Sequence, residues 1–219
     1  MIVTIDGPAG AGKSSVARAL AARLGFHFLD TGAMFRAVAL AALRAGAALE
    51  DDQALAGVVA SMHLEMRASG EVVLNGEEVT EAIRAPEISQ GASRVAASGA
   101  VRPRLAEMQR DIARGRRIVT EGRDQGTAVF PDAGCKFYLD AAPEERLRRR
   151  AAQLQRQGKQ ADLESLRREQ AERDARDRSR HLAPLRAAAD AVVIDSTGLT
   201  AAEVTDLMEA EVRRRLGAS

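Results

Sequence analysis

Hydrophobic positions along this chain follow two rhythms. Short apolar runs rich in β-branched residues recur at 2–5, 27–29, 117–121, 136–140 and 191–195, each bounded by polar residues or glycine, and they read as buried strands. Between them the apolar spacing widens to three and four. A helix is predicted from Lys13 to Leu24 with Gly25 as its breaker, and another, capped at Asp30-Thr31-Gly32, runs through Met34, Val38, Leu40 and Leu43 to Gly46. Pro143 with Glu144 and Glu145 starts a further helix, and Thr200 with Glu203 forms a T-x-x-E capping box before the last one. Strands alternating with helices imply right-handed crossovers and a parallel sheet covered on both faces. Ligands in such sheets bind beyond the carboxyl ends of the strands, which puts Asp6, Asp30, Glu121, Asp140 and Asp195, or the residues after them, on one rim.

The rhythm breaks at 63–79. Leu64, Met66, Val72, Leu74 and Val79 sit in short alternating stretches interrupted by Ser69-Gly70 and Asn75-Gly76, dipeptides that favour the positive-φ turns of tight hairpins. Helical patterns at 51–60, 85–97 and 100–113 flank it. A small β insertion between two strands of the core sheet is expected, either as a substrate-binding appendage or as surface decoration.

Composition narrows the class. The 219 residues suit one large core with insertions, and a formal net charge of +1 leaves no global basic field to recruit nucleic acid, so anion binding has to be local. Cys135 is the single cysteine, which excludes an intramolecular disulfide framework and a cysteine-built zinc site. No run approaches 18 apolar residues, and the first apolar residues form a four-residue run ending at Asp6 with no charged n-region, so neither a membrane span nor a signal peptide is read. A cytoplasmic protein acting as a monomer on small molecules is the expectation.

The chemistry centres on Gly7-Pro8-Ala9-Gly10-Ala11-Gly12-Lys13-Ser14-Ser15, a G-x-x-x-x-G-K-S loop between a strand and a helix. The glycines let successive N–H groups turn toward an anion at the positive end of the helix; Lys13 adds a point charge, and the Ser14 hydroxyl can ligate a phosphate-bound Mg²⁺. Residues 144–180 are dense in arginine, and a solvated helical surface accounts for most of them. Two details point further. The stretch 155–161 contains Gly158 and no apolar anchor, as an exposed lid turn would, and Arg173, Asp177 and Arg180 share one predicted helical face on which two guanidinium forks flank a carboxylate.

The phosphate loop, Leu29-Asp30-Thr31-Gly32-Ala33-Met34-Phe35-Arg36, the segment from Glu121 through Gly122-Arg123-Asp124-Gln125-Gly126-Thr127 to Pro131, and Glu172-Arg173-Asp174-Ala175-Arg176-Asp177-Arg178 together resemble the bacterial cytidylate kinases, the type 1 CMP kinase family. The motifs follow the family's order across nearly the whole chain, and the β insertion resembles its extended monophosphate-binding lobe. The resemblance implies a P-loop NTPase fold, three-layer α/β/α with a five-stranded parallel sheet, a β-containing NMP-binding insertion and a helical lid. It implies a core of 1–45, 115–142 and 181–219, an NMP lobe of 46–114 and a lid of 143–180.

Carried over by position, the resemblance assigns Gly7 to Ser15 to ATP, Ser14 and Glu121 to Mg²⁺, and Thr31, Ser93, Arg102 and Asp124 to cytosine. It assigns Arg36, Arg123 and Arg180 to the CMP phosphate and Arg173 and Asp177 to the ribose. Arginines between Arg146 and Arg150 would close over ATP, Arg149 among the catalytic groups with Lys13, Arg123 and Arg180. Three positions depart from the family pattern: Thr31 stands where serine is common, Glu121 where aspartate is also found, and Gln125 where an apolar residue is usual, which bears on local packing.

The implied reaction is ATP with CMP or dCMP giving ADP and the diphosphate. The attacking phosphate oxygen is already anionic, so the demand is alignment of two polyanions, which arginines, a lysine and Mg²⁺ meet. The alternatives are another small-molecule kinase of this fold, of shikimate or gluconate type, and a nucleotide switch. Asp195-Ser196-Thr197-Gly198 fits a D-x-x-G spacing, but the chain contains no N-K-x-D guanine motif.

Overall fold

The computed structural model describes residues 1–67, 69–156, 158 and 162–217. Its principal sheet is parallel and five-stranded, in the order β2-β6-β1-β7-β8, from β1 (Ile2–Asp6), β2 (His27–Asp30), β6 (Ile118–Gly122), β7 (Cys135–Asp140) and β8 (Val192–Asp195). The chain divides into two compact units, Met1–Phe26 with Ile118–Ser219, and His27–Arg117.

The first unit is built on β1. Its register with β6 pairs Asp6 with Gly122, and its register with β7 pairs Val3 with Cys135. These pairings carry β6 one residue past Glu121 and start β7 one residue before Lys136, small shifts from the sequence pattern that ladder hydrogen bonds decide. Helices α1 (Lys13–Leu24), α6 (Pro143–Arg156), α7 (Leu163–Ser179) and α8 (Ala201–Gly217) complete the unit; α1 packs on β6 and α8, and α6 on α7. Val3, Ile5, Leu20, Ile118, Phe137, Leu139 and Met208 form its core. The predicted helix signals act where they were read. Gly25 takes φ 67° and its N–H closes back on the end of α1, and before α8 the Glu203 carboxylate accepts from the Thr200 N–H at 2.8 Å while Thr200 Oγ1 accepts from the Glu203 N–H at 3.2 Å.

The second unit opens with β2 and α2 (Thr31–Arg44), whose Asp30 cap accepts from the Ala33 N–H at 2.8 Å. Then come α3 (Asp52–Ser61), a three-stranded antiparallel sheet of β3 (Leu64–Met66), β4 (Val72–Leu74) and β5 (Glu77–Glu78), and helices α4 (Pro86–Val95) and α5 (Val101–Ala113). The expected β insertion is present. Asn75 and Gly76, at φ 52° and 83°, make the two-residue turn that sets Leu74 opposite Glu77.

The division of the chain differs from the expected one. Residues 27–45, expected in the core, group with the second unit because α2 buries Met34, Ala37 and Val38 and packs on α3, α4 and α5. Residues 143–180, expected as a lid, group with the first unit, where Arg146, Leu147, Asp174 and Asp177 are buried. Of the predicted lid turn at 155–161, positions 157 and 159–161 lie outside the described residues. Among the described residues no helix is long and apolar enough to cross a membrane.

Candidate active site

In the first unit the site starts where β1 ends. Gly7 turns the chain at φ 151°, and a Cβ there would strike the Leu139 carbonyl oxygen, so no side chain fits. Gly12, at φ 95°, then delivers the chain to the first turn of α1, which carries Lys13 and Ser14. Lys13 is 5% exposed, and its ammonium donates to the Pro8 carbonyl at 2.7 Å. Burial, reinforced by the Arg123 cation and opposed by Glu121, pulls its pKa down to about 7. Ser14 Oγ donates to Glu121 Oε1 at 2.8 Å, which places a hydroxyl and a carboxylate together as a pair of hard oxygen ligands. Among the described residues no group of three or more His, Cys, Asp or Glu is arranged for a metal, so an ion here would have to complete its shell with water and phosphate oxygens, as Mg²⁺ does.

Behind that pair lies a guanidinium cluster. Arg123 donates from Nε to Asp177 Oδ2 at 2.7 Å and from Nη1 to the Gly122 carbonyl at 3.2 Å, while Arg180 Nη1 lies 3.9 Å from Asp177 Oδ1. Burial alone would raise the Asp177 pKa, but Arg123, Arg180 and Arg173 together hold it below the ordinary aspartate value. Lys13, Glu121, Arg123, Arg173, Asp177 and Arg180 are therefore brought together. One part of the sequence reading is corrected: Arg180 does not sit on the helix face with Arg173 and Asp177. It is the residue after α7, with φ −54° and ψ 132°, and reaches Asp177 from extended backbone.

The arginines between Arg146 and Arg150 do not act alike. Arg148 and Arg150 lie on the surface, bonded to Glu145 and Gln153. Arg146 is buried. It donates to the Ala9 carbonyl at 3.0 Å and the Ala141 carbonyl at 3.1 Å, and pairs with Asp174 at 2.6 Å, where α6 approaches Gly10 closely. Arg149 donates to the carbonyls of Ala11 at 3.1 Å and Ser196 at 2.7 Å and to Ser196 Oγ at 3.0 Å. Ser196, singled out in the sequence only for a D-x-x-G spacing, thus ties the phosphate loop to the segment after β8, its Oγ also donating to the Asp140 carbonyl at 2.9 Å.

Asp124 follows β6 and is buried at 4% exposure. Gln125, the apolar position of the pattern, is buried without conflict, since its Oε1 accepts from Thr120 Oγ1 at 3.1 Å. Asp6, which sequence reasoning placed on the rim but gave no task, accepts from the backbone N–H groups of Gln125 and Gly126.

The second unit carries the remaining residues. Arg36 Nη2 lies 3.3 Å from Asp30 Oδ2, Thr31 is buried at the start of α2, and Arg102 donates to the Ala96 carbonyl at 2.9 Å with its guanidinium 5.7 Å from the centre of the Phe35 ring. Among the described residues, Ser93 Oγ and Arg36 Nε are buried with no hydrogen-bond partner. Orphaned polar atoms at such positions are what a polar ligand would satisfy.

The cytidylate kinase family profile matches residues 3–214. A cytidylate kinase of Geobacter sulfurreducens is 51% identical over 98% of this chain and 94% of its own length, and one of Vibrio cholerae is 47% identical over 94% of this chain and 92% of its own. Among solved structures, a gluconokinase from Sinorhizobium meliloti aligns with TM-score 0.52 at 18% identity over 97% of this chain and 91% of its own, and an uncharacterized protein from Eubacterium ventriosum with TM-score 0.56 at 13% identity over 97% and 98%; both show a shared fold alone. The phosphate loop, the Arg123 to Gly126 segment and the guanidinium cluster stand on the fold where the family profile runs almost from end to end, and the chain belongs to the cytidylate kinase family.

Proposed function

We propose that this chain transfers the γ-phosphoryl group of ATP to CMP and dCMP with Mg²⁺, as a cytoplasmic monomer acting on free nucleotides. The observation that carries the reading is the cluster of four cations, Lys13, Arg123, Arg173 and Arg180, gathered around the carboxylates of Asp177 and Glu121 beside a phosphate loop. So many cations in low dielectric suit a polyanion in transit and little else.

Each residue has a proposed task. The backbone of Gly7 to Ser15 and the Lys13 ammonium cradle the donor phosphates, and Ser14 with Glu121 holds Mg²⁺. The metal, when bound, neutralises charge building between donor oxygens. Arg36, Arg123 and Arg180 take the acceptor phosphate, Arg173 and Asp177 the ribose, and Thr31, Ser93, Arg102 and Asp124 the base. Arg149 braces the loop against Ser196. Acceptor binding would release Arg123 and Asp177 from each other, freeing a fork for phosphate and an acceptor for a sugar hydroxyl. No general base is required, because the acceptor oxygen is ionised at neutral pH. Ionised Asp124 accepts from the exocyclic amine of cytosine but faces the carbonyl of uracil unfavourably.

ADP release measured with CMP, dCMP, UMP, AMP, shikimate and gluconate as acceptors tests this directly. Turnover is expected with CMP and dCMP; turnover with AMP, shikimate or gluconate and none with CMP overturns it. An Asp124→Ala variant is expected to lose CMP selectivity while ATP binding survives.

A further inference from the structure

Asp6 closes β1 and holds none of the tasks above. It is 2% exposed, and its carboxylate accepts from the Gln125 N–H at 2.8 Å with one oxygen and from the Gly126 N–H at 2.7 Å with the other. These are the two residues directly after Asp124, at the head of the turn Gln125–Val129. The same turn is tied from within by the Asp124 carbonyl, which accepts from the Ala128 N–H at 2.9 Å. It also lies flat on β1: a Cβ on Gly126 would stand 2.9 Å from Thr4 Oγ1, 3.2 Å from Lys136 Cδ and 3.4 Å from Asp6 Oδ2. One carboxylate beside the phosphate loop therefore grips two successive amides of the segment that carries Asp124, and the missing side chain at Gly126 lets the grip close.

We propose that Asp6 is a positioning residue for acceptor recognition: it fixes the backbone from which Asp124 projects, and so sets the preference among nucleoside monophosphates while remaining outside both substrate sites. This rests on the assignment of Asp124 to the base. An ionised carboxylate suits the task because it offers two acceptors and no donor. Asparagine would keep one acceptor and turn an NH₂ toward a backbone N–H. Bonds from amides to a charged acceptor are also about twice as strong as neutral ones. A carboxylate that merely filled space would affect stability, and both substrates alike; a positioning carboxylate separates them.

Steady-state kinetics of Asp6→Asn and Gly126→Ala, with CMP and ATP varied in turn, is the test, together with hydrogen exchange at the Gln125 and Gly126 amides read by NMR. Both variants are expected to raise KM for CMP about tenfold, the effect of losing one good hydrogen bond's worth of alignment. The preference for CMP over UMP should fall by a similar factor, KM for ATP should stay within about twofold, and the Asp6→Asn amides should exchange faster. Adding Thr4→Ala to Gly126→Ala removes the nearest obstacle and is expected to restore KM for CMP. Faster exchange with unchanged KM for CMP, or equal rises in both KM values, overturns the proposal. If Asp6→Asn does not fold, the Gly126→Ala pair carries the test alone. Should the wild-type protein prefer another monophosphate, the function proposed above fails, yet the same split read with that acceptor still supports or overturns the role of Asp6.

Discussion

Some functional side chains of the two units are kept in different states. In the first, the groups assigned to the donor phosphates and the metal are already held by protein: Lys13 by the Pro8 carbonyl, Ser14 by Glu121. In the second, two groups assigned to the acceptor, Ser93 Oγ and Arg36 Nε, are buried without a partner among the described residues. Preorganised charge costs little to reuse when a ligand arrives, whereas an unsatisfied buried group weakens the free protein and gains when the ligand binds. The contrast teaches that some binding groups can be held for geometry and others kept for affinity.

The sharpest way to break that contrast is to remove Lys13. Lys13→Ala is expected to lower kcat by about 10³-fold while leaving CMP binding, read by calorimetry, nearly intact. Comparable losses of kcat and of CMP affinity would dissolve the distinction between the halves. Next comes the buried pair that braces the phosphate loop. Arg146 and Asp174 are almost fully buried at 2.6 Å, so Asp174→Ala strands a cation and should destabilise the protein by about 3–5 kcal/mol in denaturant titration.

A pH experiment probes the same half. Burial raises the Asp6 carboxyl from 3.8 to about 6, against the two backbone N–H bonds; Asp124 adds to the rise and Lys13 opposes it. Because the folded value lies above the unfolded one, the proton stabilises the native state at low pH, and that contribution disappears as pH rises from about 4 through about 6. Wild-type stability should therefore fall relative to Asp6→Asn across that window, by at most about 3 kcal/mol. A flat difference between the two proteins would contradict the raised carboxyl. The smallest effect belongs to the second unit. Ser93→Ala should leave stability unchanged or improve it by about 1 kcal/mol, since an orphaned hydroxyl is removed, while KM for CMP rises about tenfold. A loss of stability in that variant would mean that the hydroxyl is satisfied in the free protein.

Legibility in the sequence tracked the range of the interaction. The ends of α1 at Lys13 and Leu24, the Asp30 cap, the Thr200 and Glu203 box and the Asn75-Gly76 turn all depend on residues within a few positions of one another, and each forms as read. Lys13 was marked by the G-x-x-x-x-G-K-S loop and Asp177 by its helical spacing from Arg173, whereas Glu121 and Arg123 were assigned through the resemblance to the cytidylate kinases; the fold brings the four together. The burial of Arg146 was not legible. A run of arginines on a helix looks uniform in one dimension, and only the packing of α6 against α7 decides which members turn inward.

By itself, the sequence determined the alternation of strands and helices, the phosphate loop, the β insertion and the identity of the charged groups, because these follow from backbone preference, periodicity and side-chain chemistry. Only the tertiary structure decided that Asp6 would meet the Gly126 amide at 2.7 Å, that Ser196 would bind the Asp140 carbonyl at 2.9 Å and that Arg180 would reach Asp177 from beyond the helix. The first two contacts join residues far apart in the chain, set by the order and register of the strands. The third depends on where α7 stops. None of that geometry is carried by the few neighbours from which a local pattern is read.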